Sequence, residues 1–130
     1  MGGALSLAAG VHHPGVLDGA IAFYGAPPAE LADVSTIRIP VQAHFGEVDP
    51  LEGFSDAAAC ERLKEQLAKA AVSHDVYTYP GMGHAFMNTS KELRDAAGVT
   101  EPYSPEVVSL AYSRVASFAR THLHASEDSD

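Results

Sequence analysis

Cysteine is almost missing from this chain, which has one, Cys60, among 130 residues. A lone thiol closes no internal disulfide, so nothing speaks for an oxidising compartment, and the cytoplasm is the expected location. Positive charge is scarce as well. The 8 Lys+Arg stand against 17 Asp+Glu, a formal net charge of -9, and no basic stripe could neutralise phosphates or dock on an anionic leaflet. Nucleic acid and membrane are therefore not expected partners. No apolar run reaches the roughly 18 residues that a membrane span needs. The apolar opening lacks a positively charged region, its first Lys or Arg being Arg38, so no secretory signal is expected. Met1-Gly2-Gly3-Ala4-Leu5-Ser6 does fit the short N-myristoylation pattern. With neither a basic cluster nor a second acylation site nearby, a single acyl chain would bind a membrane only marginally.

What is present suits one compact domain. A 46% hydrophobic content is ample for a core at this length. Residues 1–124 are expected to form the domain, and 125–130, ending Glu127-Asp128-Ser129-Asp130, an acidic disordered tail. Small apolar residues from Gly2 to His13 predict a short helix with a close-packing face. Asp18 to Tyr24 is a short apolar run bounded by Gly15 and Gly25, the mark of a strand buried on both faces. Ala26-Pro27-Pro28 opens a loop to about Ile39, with a helical hint around Glu30 to Asp33.

A second buried strand is expected over Pro40 to Phe45. A helix over Phe54 to Ala71 follows, its stripe made by Ala57, Cys60, Leu63, Leu67 and Ala70. Val76-Tyr77-Thr78-Tyr79 is β-branched and aromatic, a third strand ended by Pro80-Gly81. Ser104 as N-cap and Pro105 in the first turn start a last helix, with Val108, Ala111, Val115, Phe118 and Leu123 on one stripe. Strands alternating with helices predict a parallel α/β sheet of three strands. The strand over Asp18 to Tyr24 is expected to offer an apolar, unpaired edge.

Two residues carry the chemistry. Asp49, in His44-Phe45-Gly46-Glu47-Val48-Asp49-Pro50, lies just past the second strand. His84, in Tyr79-Pro80-Gly81-Met82-Gly83-His84-Ala85-Phe86, lies just past the third. Parallel neighbours bring those ends together over one crevice. There a carboxylate can accept the imidazole Nδ1-H, fix the tautomer and stabilise the imidazolium formed when Nε2 takes a proton. Taken singly, Asp49 reads as a turn or cap residue and His84 as a loop histidine; together, their order and context favour the pair.

These segments, with Met1-Gly2-Gly3, Gly19-Ala20-Ile21-Ala22-Phe23-Tyr24-Gly25 and the helix from Pro105 to Leu123, resemble the C-terminal portion of the dienelactone hydrolase family, of the α/β-hydrolase fold. The resemblance implies a partial α/β-hydrolase fold, three C-terminal parallel strands with flanking helices. It also implies hydrolysis of an ester or lactone through an acyl-enzyme, with Asp49 orienting and His84 as general base and then acid. No cofactor or metal is implied; the partner is a small-molecule ester or lactone.

The nucleophile of the Gly-x-(Ser/Cys)-x-Gly elbow is expected upstream of Met1, which itself stands just after the nucleophile's place. Asn88 stands where the family's prototype lactonases resemble one another in carrying a substrate-binding arginine, which argues against an acidic dienelactone. Cys60 reads as a small buried hydrophobe, and Ser6 and Ser90 as surface or cap residues. His12-His13 and His122-x-His124 have no third ligand at a suitable spacing and read as solvated histidines. The rival reading is a non-catalytic truncated remnant or partner-binding half-domain.

Overall fold

The computed structural model describes residues 1–96, 98 and 103–123. Along them run α1 (Gly2–His12), β1 (Ala20–Phe23), a 3-10 turn (Val34–Thr36), β2 (Val41–Gly46), α2 (Ala57–Ala70), β3 (His74–Tyr79), α3 (Lys91–Ala96) and α4 (Pro105–His122). The three strands form one parallel sheet in the order β1-β2-β3, with Ala20 beside Val41 and Val41 beside His74. Expectation and structure agree on three parallel strands with flanking helices. As expected, β1 is an edge strand. The expected tail, 125–130, lies outside the described residues.

Small residues let α1 lie directly on the sheet. A Cβ added at Gly3 would collide with the carbonyl oxygen of Phe23 and come within 2.9 Å of that of Gly25. The start of α1 is thereby pressed against the carboxyl end of β1. The core on this face joins Leu7 of α1, Ala22, Val41, Ala43 and Phe45 of the sheet, and Leu63 and Leu67 of α2. The other face is covered by α4, with Tyr79, Met82, Phe86 and Ala111 buried together.

Several boundaries move for local reasons. Asp56 accepts the amide N-H of Ala59 and caps α2, so that helix starts at Ala57 and not Phe54. Ala57 is exposed, and Ala59 joins the buried stripe in its place. The helical turn expected around Glu30 to Asp33 lies at Val34–Thr36, because the Asp33 carboxylate accepts the N-H of Ser35 and caps it. Strand β1 is shorter than Asp18 to Tyr24, and Ile21 and Phe23 are half-buried, so it is not enclosed on both faces. Ser104 caps α4 as expected, with Pro105 in its first turn, whereas Leu123 falls beyond the helix and is exposed. Helix α3 was not expected from the sequence.

Beneath α4 runs a buried polar chain. Gln42 donates its Nε2-H to the carbonyl of Arg114 at 3.1 Å, which turns its Oε1 toward His44 Nε2 at 2.9 Å. An amide oxygen only accepts, so His44 must carry its proton on Nε2. Nδ1 then accepts the Tyr79 hydroxyl at 2.8 Å. All three side chains are at most 3% exposed, and the imidazole stacks on Phe23 at 4.4 Å. Burial and the nearby Arg114 charge hold the His44 pKa down at about 4, so it is neutral at neutral pH.

Candidate active site

The Asp49 and His84 loops are sewn to each other at the carboxyl edge of the sheet. Glu47 N-H donates to the Tyr79 carbonyl and Val48 N-H to that of Met82. The Glu47 carboxylate takes the N-H of Gly81 at 3.1 Å. Close approach requires glycine at the end of β2: a Cβ at Gly46 would collide with the carbonyl oxygens of Met82 and Gly83.

Asp49 is buried at 4% exposure, and both carboxylate oxygens are engaged. Oδ1 accepts the Leu51 N-H at 3.1 Å, and Oδ2 lies 2.7 Å from His84 Nδ1. Such a carboxylate accepts, so Nδ1 carries a hydrogen, and in the neutral ring the lone pair lies on Nε2. His84 is held between two buried anchors, Met82 and Phe86. Phe86 packs against Tyr79 at 4.9 Å and Tyr24 at 5.4 Å. The turn after the imidazole is tight: Ala85 takes φ 60° and its carbonyl accepts the Asn88 N-H. A left-handed alanine carries strain on the order of 1 kcal/mol, retained where the surroundings fix it. The His84 side chain keeps 31% exposure, while that of Asp49 has none.

Tyr24 stands beside the imidazole, ring centres 5.3 Å apart, and its hydroxyl accepts the Met87 N-H at 3.1 Å. Burial raises its pKa to about 12, so it stays a neutral phenol.

One neighbour was missed from the sequence. Ser55 is fully buried, with its Oγ 3.4 Å from His84 Nδ1. The signal was available in Gly53-Phe54-Ser55-Asp56-Ala57, which departs from the elbow pattern only at its last position. Geometry argues against a nucleophilic Ser55. It meets the same ring nitrogen as Asp49, whereas a relay needs acid and nucleophile on opposite nitrogens. Nor is Ser55 among the non-glycine residues with positive φ, so it lacks an elbow's sharp turn.

The other sequence candidates lie elsewhere. Cys60 is buried in α2, its sulfur 3.5 Å from Thr78 Oγ1. The Ser6 hydroxyl donates to the Gly2 carbonyl, and the Ser90 hydroxyl accepts the Leu93 N-H that opens α3. His12 and His13 are exposed as expected, His12 Nε2 lying 2.9 Å from the Leu31 carbonyl, while His122 packs on Phe118; His124 lies outside the described residues. Among the described residues no three His, Cys, Asp or Glu are grouped to hold a metal ion. None of their helices is long and apolar enough to cross a membrane.

A parallel sheet with helices on both faces, and an acid-imidazole pair over its carboxyl edge, define a partial α/β fold of the hydrolase type. The chain belongs to the dienelactone hydrolase family, whose sequence pattern matches residues 1–123. It is also similar to Protein usf of Aquifex pyrophilus, 28% identical over 91 residues, a stretch that covers 70% of this chain and 38% of that protein. The matched stretch thus spans well under half the length of that relative.

Proposed function

We propose that this chain is the acid-base half of a hydrolase of esters or lactones. The carrying observation is the 2.7 Å contact between Asp49 Oδ2 and His84 Nδ1, which leaves Nε2 free to take a proton. A cysteine or serine on the turn entering α1, in a polypeptide running upstream of Met1, gives its proton to Nε2 and attacks the carbonyl. The imidazolium then protonates the departing alkoxide, leaving an acyl-enzyme. Water, deprotonated by the same Nε2, releases the acid and restores the nucleophile. Asp49 holds the tautomer throughout and stabilises the imidazolium. Support comes from the family, from the start of α1 lying against the end of β1, and from the relative's greater length.

The substrate is a small ester or lactone, and a lone buried cysteine supports the cytoplasm as the place of reaction. Hydrolysis of a p-nitrophenyl ester tests the reading. The 130 residues alone are expected to be inactive, and a version extended upstream through the elbow active. In the extended protein Asp49→Asn should lower kcat by about 10⁴-fold through the wrong tautomer, while Ser55→Ala stays within about tenfold. Turnover that survives His84→Ala sinks the assignment. Activity of the short chain that is lost on Ser55→Ala would make Ser55 the nucleophile.

A further inference from the structure

A cleft of about 320 Å³ opens between β3 and α4, lined among others by Asp75, Tyr77, Ser113, Arg114, Ser117 and Phe118. It is separate from the Asp49-His84 pair. Asp75 lies four residues before Tyr79, where the strand reaches the site loops, a distance of roughly 13 Å along a strand.

Its lining brings together the cation Arg114, the anion Asp75 and the titratable His122. Arg114 is half-buried, its guanidinium 3.9 Å above the Tyr77 ring. Ring faces hold such a cation without neutralising it. Asp75 lines the same cleft, yet the ion pairs among the described residues are Lys64–Glu61, His84–Asp49 and Lys91–Asp95. A cation and an anion therefore flank one hollow without closing on each other, and Ser113 and Ser117 also line it.

We propose that this cleft binds a small zwitterion, an α-amino acid in chemical class, with its carboxylate on Arg114 and its ammonium on Asp75. The planar guanidinium suits a carboxylate, and Phe118 offers an apolar wall to an aliphatic side chain. The volume lies at the lower end for ligand pockets, which favours a molecule of few atoms. The proposal does not depend on the hydrolase reading.

The test is an NMR titration of the isotope-labelled chain, or of a longer protein carrying it, with L-leucine, isovalerate and isoamylamine. L-leucine should give saturable shifts confined to residues 73–77 and 113–122, and each single-charge analogue should bind at least about tenfold more weakly. Asp75→Asn, at an exposed position, should weaken leucine by at least about tenfold, as should Arg114→Gln. No saturable shift with leucine at millimolar concentration overturns the proposal. Equal affinity for leucine and isovalerate, or an indifferent Asp75→Asn, overturns two-ended recognition and leaves a plain anion cleft.

Discussion

The two faces of the sheet are held by different physics. On the α1 and α2 side the contacts are hydrocarbon, from Leu7 through Val41 and Phe45 to Leu63 and Leu67. On the α4 side the sheet buries Gln42, His44 and Tyr79 in a directed chain of hydrogen bonds ending on the Arg114 carbonyl. Apolar burial is non-directional and indifferent to pH, so that face is specified by volume. A buried polar chain is specified by donors, acceptors and one neutral imidazole. Acid should therefore weaken the second face and leave the first unchanged.

Substitutions on each face separate the two kinds of support. The largest effect belongs to the apolar face, where Leu63→Ala should cost about 2–5 kcal/mol through a cavity. Denaturant unfolding should show that cost to be the same at pH 7 and pH 5; a strongly pH-dependent value would merge the two faces. Next comes the acid dependence of the other face. The folded pKa of His44 is about 4, below the usual 6.5, so the unfolded chain takes up the proton first. Its contribution is present above pH 6.5 and is lost as pH falls toward 4, roughly 3 kcal/mol in all. His44→Phe should flatten the stability curve in that window relative to the parent chain. The smallest effect is expected from Tyr79→Phe, which leaves His44 Nδ1 buried without a donor at about 1–3 kcal/mol. It should also make protonation of His44 easier, seen as an upward shift of its titration by NMR.

The contrast also explains what was legible in the sequence. Helix α4 could be foreseen from Ser104 and Pro105, because a cap and a first-turn proline act on their own backbone. Asp49 and His84 could be paired because strand ends in a parallel sheet fix where a following loop must sit. The face of α2 followed from the three-to-four spacing of Cys60, Leu63 and Leu67, but Ala57 did not, since the Asp56 cap decides where the helix begins. The polar chain was opaque. Val41 to Gly46 is buried throughout and reads as one apolar strand, while Gln42 and His44 find their partners on α4 and β3. Ser55 stood in a near-elbow run, but its contact with His84, 29 positions along the chain, was not legible.

The hydrogen bonds between the Glu47 and Met82 loops have a consequence for modularity. The loops that carry the carboxylate and the imidazole are fastened backbone to backbone, so one short span of chain aligns the pair. Any other segment that completes this edge of the sheet has no part in setting their distance. Such a segment can be lengthened, reshaped or exchanged and still meet the same pair in the same pose. Variation in what is recognised is thereby uncoupled from the upkeep of the pair.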